Sequence, residues 1–309
     1  MASIITALMK KLLCLMLSLL LILPPLPAQA WSEGGHHLIS VLAFRQLPKD
    51  KQDELIRILK AHPRFEQDFK LPSKVRNADE WLIGRAGYWP DVARSQPQYN
   101  RPNWHYQLGP VLTVGSVEPP AVPGPLPANA TAETKELHIA QALELNTLIL
   151  HDKIKPDAER AIALCWVAHL VADAHQPCHA GSLYVEGVFP EGDRGANSIK
   201  TKQSNMHALW DGLLGPKWDE ADLNRRASEM PKIELGAGGI DAWLKESREL
   251  AVKDVYAPDV MEAISVAMRG KTEVAELNLS EAYLKNAGAV AKIRAVESAA
   301  GLARVWNGE

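Results

Sequence analysis

The run His169-Leu-Val-Ala-Asp173-Ala-His175-Gln-Pro177-Cys-His179, followed by Asn205-Met-His207-Ala-Leu-Trp-Asp211, constrains this chain more than any other feature. Twice a histidine precedes an aspartate by four residues. On a helix such positions share one face about one turn apart. Each pair can therefore grip one cation through an imidazole nitrogen and a carboxylate oxygen, a zinc-type donor set. A single pair would be weak evidence, because His and Asp also meet on solvated helix faces. Two pairs, with His179 just past the helix-breaking Pro177, favour a site for more than one metal.

The first thirty residues read as an export signal rather than as fold. Lys10 and Lys11 precede the apolar stretch Leu12–Leu23, and Ala28-Gln29-Ala30 closes it. That is a charged start, a short hydrophobic core and an Ala-x-Ala cleavage point. The apolar stretch is too short to span a bilayer comfortably. Cleavage after Ala30 is expected, giving a secreted or periplasmic chain that begins at Trp31, with residues 31–309 as one functional domain and no stable membrane anchor. Cys165 and Cys178 then remain of the three cysteines. Export permits a disulfide, and two separate buried thiols fit the sequence equally well. The net charge of −3 argues against a groove that binds nucleic acid by basic charge alone. It does not exclude nucleic-acid substrates, since bound cations supply positive charge that residue counting misses.

Periodicity is helical almost throughout. Leu38, Val41, Leu42 and Phe44 mark a helix soon after Trp31, and Leu55, Ile56, Ile58 and Leu59 another. Leu137, Ile139, Ala140, Leu143 and Leu148 follow the helical spacing, as do Ala161, Leu164, Cys165, Ala168 and Val171. Further helices are expected around 243–256 and 282–306. Residues 109–127, with Pro110, Pro119, Pro120, Pro123, Pro125 and Pro127, read as an extended loop. The glycine-bearing polar residues 182–204 read as a second loop beside the metal run. The predicted class is all-α, a single helical domain with long loops at the functional face.

One more constellation precedes the central run. Tyr88-Trp89-Pro90-Asp91-Val-Ala-Arg94 leads to Asn103-Trp104-His105-Tyr106. Proline before Asp91 suggests a loop that could aim Asp91 and His105 at a shared ion. Taken by themselves, a solvated aspartate and a half-buried histidine explain these residues as well.

Together these motifs resemble the zinc-dependent, single-strand-specific nucleases of the mung bean nuclease type, plant and fungal enzymes that act as endonuclease and 3′-nucleotidase. The resemblance rests on Trp31 with His36, on Trp89-Pro90-Asp91-Val92-Ala93-Arg94, and on Trp104-His105-Tyr106. It continues through His169–His179, Gly195-Ala196-Asn197 and Asn205–Asp211, and Trp243, Glu246, Ser247 and the closing helix fit as well. It spans nearly all of residues 31–309. It implies a helical fold around a trinuclear cleft with three Zn2+ ions. Asp91, His105 and His169 would hold one zinc, with Asp173 bridging to a neighbour. His179, His207 and Asp211 would hold the second. The third would take the α-amino nitrogen and carbonyl oxygen of Trp31, with His36 and Asp173. A free amine at Trp31 exists only after the signal is cut.

The same resemblance implies hydrolysis of single-stranded DNA or RNA, and of 3′-nucleotides, by a zinc-activated hydroxide that leaves 5′-phosphate products. Asp91, Arg94 and Asp173 would carry the chemistry, Arg94 through forked donors to phosphate oxygens. Tyr106 would stack on an unpaired base, and Asn197 would contact its edge. Leu108 stands where many relatives carry a base-binding aspartate, Ala196 replaces a glycine, and Cys178 replaces an apolar residue. Asp79 lacks the following arginine, and His37, His62, His138, His151 and His175 read as structural. The zinc phospholipases C share the trinuclear plan, but their last pair tends to be His-x-x-x-Glu, whereas Asp211 is an aspartate. A non-catalytic zinc-binding protein is the remaining alternative.

Overall fold

The computed structural model describes residues 31–217, 219–236 and 238–309; the expected signal, from Lys10 to its cleavage point at Ala30, lies outside the described residues. The fold is helical. Helix α1 (Glu33–Phe44) follows Trp31 directly, and α2 (Lys49–Leu59), the single turn α3 (Phe65–Asp68) and α4 (Ala78–Val92) complete the amino-terminal half. After two 3-10 turns, Ala93–Ser95 and Pro102–His105, come α5 (Ile139–His151) and α6 (Asp157–Ala174). A third such turn (Pro177–His179) leads to α7 (Met206–Gly212), α8 (Glu220–Ser228), α9 (Ile240–Leu250), α10 (Pro258–Gly270) and α11 (Glu281–Asn307).

Helix α6 is the axle. It is buried on nearly every side from Arg160 to Ala174, the signature of a helix enclosed by others. Helices α2, α4, α5 and α11 pack around it, and α1 packs against α4 and α11. The approach of α1 to α4 depends on two glycines. A Cβ on Gly84 would come 2.6 Å from His37 Nδ1, and one on Gly87 would come 2.1 Å from Ser40 Oγ. The larger core includes Trp31, Trp89, Trp104, Trp166 and Trp306. A second cluster, with Met206, Trp210, Tyr256 and Tyr283, supports α7 from below.

Three expectations change. Asp91 does not sit in a loop: α4 runs through Pro90 to Val92. The buried Trp89, whose indole donates to Asp68 Oδ2 at 2.9 Å, anchors that last turn. Residues 109–127 and 182–204 are not wholly irregular. Strand β1 (Pro110–Val114) pairs in parallel with β2 (Ser182–Val185). Pro110 stands at the strand's first position, where a missing N–H does little harm, and the remaining prolines lie beyond the strand. Cys165 and Cys178 are both buried free thiols.

Candidate metal centre

Six elements converge on one buried region. Helix α1 contributes His36, the last turn of α4 contributes Asp91, and the turn at 102–105 contributes His105. Helix α6 contributes His169 and Asp173, the turn at 177–179 contributes His179, and α7 contributes His207 and Asp211. Their donor atoms form three groups: His36, Asp91 and His169; His105, His169 and Asp173; His179, His207 and Asp211. All eight side chains expected as ligands thus meet, and none is more than 6% exposed. Trp31 lies against them, fully buried, its indole donating to Ala172 O at 3.0 Å beside Asp173. The next residue, Ser32, donates its backbone N–H to Asp211 O at 3.0 Å.

The spacings suit cations. His169 Nε2 lies 2.8 Å from His105 Nδ1 and 3.2 Å from Asp173 Oδ2. His105 Nδ1 lies 3.3 Å from the same oxygen, and His207 Nε2 lies 3.4 Å from Asp211 Oδ2. Tetrahedral zinc with nitrogen ligands at 2.0–2.1 Å would hold neighbouring ligand atoms about 3.4 Å apart. The oxygens of Asp173 face different partners, because Oδ1 turns to His36 Nε2 at 3.5 Å. One carboxylate therefore faces two sets of imidazoles, as a bridge requires.

Hydrogen bonds aim the rings. His169 Nδ1 meets Gly87 O at 2.8 Å, His179 Nδ1 meets His105 O at 2.6 Å, and His207 Nδ1 meets Gly195 O at 2.6 Å. A carbonyl on Nδ1 holds the proton there and leaves Nε2 as a lone-pair donor. Gln176 Nε2 donates to Asp211 Oδ1 at 2.6 Å. Meanwhile Asp91 Oδ2, Asp173 Oδ1 and His179 Nε2 are buried without a hydrogen-bond partner. Buried polar atoms are normally satisfied, and a cation would satisfy all three, so the donor set fits bound metal.

Electrostatics agree. Burial holds His36, His105 and His179 well below the usual imidazole range, with neighbouring imidazoles and Arg94 adding to the effect. They stay neutral, the form that ligates. Burial also lowers His169, but Asp173 and Asp91 outweigh it and raise its pKa. Burial pushes Asp173 up to about 6, opposed by His169. It drives Asp211 well above the carboxylate range, with Asp173 and Asp91 adding to it. Carboxylates crowded and buried in this way cost free energy unless positive charge joins them.

A cavity of about 340 Å³ opens from this cleft. Arg94, Tyr106, Leu108, His179 and Asn197 line it. Arg94 Nε donates to Asp91 Oδ1 at 2.7 Å, and its buried Nη2 makes no hydrogen bond within the protein. The Tyr106 ring stacks on His179, centroids 4.6 Å apart. Asn197 donates through Nδ2 to Arg194 O at 2.8 Å, and Leu108 is 36% exposed.

Asp193 escaped the sequence reading. Its carboxylate is fully buried, with Leu183 N on Oδ1 at 2.9 Å and Ala196 N and the Tyr256 hydroxyl on Oδ2 at 3.0 and 2.7 Å. These contacts hold Arg194, Gly195 and Ala196 at φ of 60°, 60° and 67°. The left-handed region is unfavourable for Arg194 and Ala196, and it turns Gly195 O toward His207. A lone aspartate in a glycine-bearing stretch carries no local signal of such a role. The decoys fall outside the groups. Asp79 is in the first turn of α4, His37 lies against Gly84 and Trp81, and His175 bonds Val171 O at 2.8 Å. His62 is buried among Phe69, Trp89 and Tyr99, whereas His138 is half-buried and His151 exposed.

Fold and site together define a helical protein built around a buried, multi-ligand His/Asp cleft of the kind that holds a cluster of divalent metals. The family model for S1/P1 nuclease matches residues 31–308, so the chain belongs to the S1/P1 nuclease family. It is also similar to Endonuclease 2 of Arabidopsis thaliana, 30% identical over 123 residues, which is 36% of this chain and 39% of that protein. No helix among the described residues is long and apolar enough to cross a membrane.

Proposed function

We propose that residues 31–309 form a zinc-dependent phosphodiesterase that cleaves single-stranded DNA and RNA to 5′-phosphate products and removes phosphate from 3′-nucleotides. The observation that carries this reading is the sharing of Asp173 between two imidazole sets beside a cavity lined by Arg94, whose buried Nη2 has no hydrogen-bond partner. Three zinc ions would use Asp91, His105, His169 and Asp173; His179, His207 and Asp211; and His36, Asp173 and the amine and carbonyl of Trp31. Bound zinc supplies Lewis acidity, lowering the pKa of a water toward neutrality and offsetting phosphate charge.

The chain's own groups do the rest. Asp91 holds Arg94 by its Nε, so the remaining guanidinium donors point at phosphate oxygens as charge builds on them. Tyr106 lines the cavity beside His179 and would stack on an unpaired base, an interaction any base can satisfy. Asn197 borders the same cavity and would meet the base edge. Signal cleavage after Ala30 would create the Trp31 amine during export, giving a secreted or periplasmic enzyme. Membership of the S1/P1 nuclease family and the similarity to an endonuclease support this reading. The test is zinc-loaded protein beginning at Trp31, incubated in parallel with single-stranded DNA, RNA, 3′-AMP and phosphatidylcholine. Turnover of the first three is expected. Turnover of phosphatidylcholine alone would transfer the site to the phospholipases, and turnover of none would leave a metal-binding protein.

A further inference from the structure

One turn serves two parts of the cleft. Residues 194–196 bring Gly195 O to His207 Nδ1, 2.6 Å away. Just beyond them, Asn197 lines the cavity and is tied back to the turn, its Nδ2 donating to Arg194 O at 2.8 Å. The turn is closely fitted, since a Cβ on Gly195 would come 2.2 Å from Cys178 O, next to His179. Arg194 and Ala196 are left-handed, and residues with side chains keep that conformation only where their surroundings enforce it. Asp193 supplies the enforcement. Besides the three bonds to its carboxylate, its backbone N–H donates to Leu183 O at 2.9 Å and its O accepts from Ser198 N at 3.0 Å. Tyr256 reaches that carboxylate from a π-helical turn, Ala251–Val255, which prolongs α9 and closes with Tyr256 N donating to Ala251 O at 2.9 Å. Such turns are rare and frequent at functional sites. This one delivers the hydroxyl of the buried Tyr256 to Asp193 Oδ2.

We infer that Asp193, held by Tyr256, is a positioning residue that sets both the zinc affinity of the His179, His207 and Asp211 group and the reach of Asn197 toward substrate. The inference rests on the zinc and substrate reading above. Asp193 does not line the cavity and belongs to no donor group, so it acts through the backbone. When its carboxylate loses an acceptor, the left-handed residues relax and Gly195 O leaves His207. The imidazole is then free to turn, or to carry its proton on Nε2, where a proton excludes metal. The same relaxation moves Arg194 O, to which Asn197 is tied. The groups that contain His169 are aimed by Gly87 O instead, so a fault in this turn spares them.

The experiment titrates zinc against a competing chelator and measures kcat and KM for 3′-AMP in wild type, Asp193→Asn, Tyr256→Phe and Asn197→Ala. Asp193→Asn should weaken one of the three zinc ions by about 10–100-fold, the usual effect of losing a group that orients a ligand. Excess zinc should restore its kcat while KM stays raised by about two- to tenfold, the worth of one hydrogen bond. Tyr256→Phe keeps the buried ring and removes one bond to the carboxylate, so both effects should recur at smaller size. Asn197→Ala should raise KM and leave every zinc affinity unchanged. Wild-type zinc affinity and KM in Asp193→Asn would overturn the inference, as would an equal weakening of all three ions. If Asp193→Asn loses its helical circular dichroism, Tyr256→Phe decides by the same signs. A wild type that binds zinc without turning over 3′-AMP would overturn the nuclease reading, and with it the part assigned to Asn197.

Discussion

At the residue scale, Asp173 separates the metal reading from simple burial. Its two oxygens face different imidazoles, so Asp173→Ala should empty or scramble both groups and abolish turnover. Asp79→Ala should stay near wild type, because Asp79 belongs to no donor group. A dead Asp79→Ala beside an active Asp91→Ala would reverse the assignment. Tyr106 offers a subtler test. Tyr106→Ala should weaken binding of single-stranded substrate by about 1–3 kcal/mol, the worth of one base–aromatic stack. Zinc content should be retained. An unchanged KM for both oligonucleotides and 3′-nucleotides would mean that the ring serves only as a backing for His179.

At the element scale, the helices place the candidate ligands by local rules and stabilise one another by packing. Asn205 is the N-cap of α7, its Oδ1 accepting from Ala208 N at 2.8 Å, so the Asn-x-His spacing is itself a helix start. His207 and Asp211 then share a face of that helix. The α2–α3 junction carries a pH-dependent contribution. Burial lowers His62 to about 4 despite the opposing pull of Asp68, and its Nδ1 accepts from Arg64 N at 3.1 Å. The folded pKa lies below the unfolded value of about 6.5. Above pH 6.5 the imidazole is neutral in both states and its contribution is intact. As the pH falls toward 4, the unfolded chain takes up the proton first, and up to about 3 kcal/mol is lost. His62→Asn keeps an acceptor for Arg64, and its melting temperature should fall less steeply than that of wild type between pH 6.5 and 4. Parallel slopes would place the acid sensitivity elsewhere.

At the scale of the whole molecule, the proposed function couples metal, fold and export. Elemental analysis of mature protein loaded with zinc at neutral pH should give three ions per chain, and one or fewer would refute the trinuclear reading. Chelation should abolish activity and lower the melting temperature, since metal bound only by the folded chain stabilises it. The amino terminus allows a sharper test. A Gly-Ser extension before Trp31 turns its amine into an amide, a poor ligand, and displaces the chain from α1. One zinc and most activity should be lost while far-ultraviolet circular dichroism remains helical. Full occupancy in the extended protein would rule out the terminal ligand and return attention to His37.

The sequence by itself determined the helical class and the His169–Asp173 and His207–Asp211 pairs, because four-residue spacing and apolar periodicity are local properties of a helix. Trp31, His36, Asp91 and His105 became candidate ligands only through the resemblance to the nuclease family, because their own spacing carries no such signal. Only the tertiary structure decided what depends on distant segments. The pairing of Pro110–Val114 with Ser182–Val185 joins stretches too far apart to signal each other, one of them obscured by prolines. The helical setting of Asp91 depends on the burial of Trp89, which overrides the local preference of Pro90. Asp193 acquires its role because β2, the 194–196 turn and Tyr256 meet around its carboxylate. A fully buried carboxylate leaves no periodic trace along the chain, since it is a product of packing rather than of spacing.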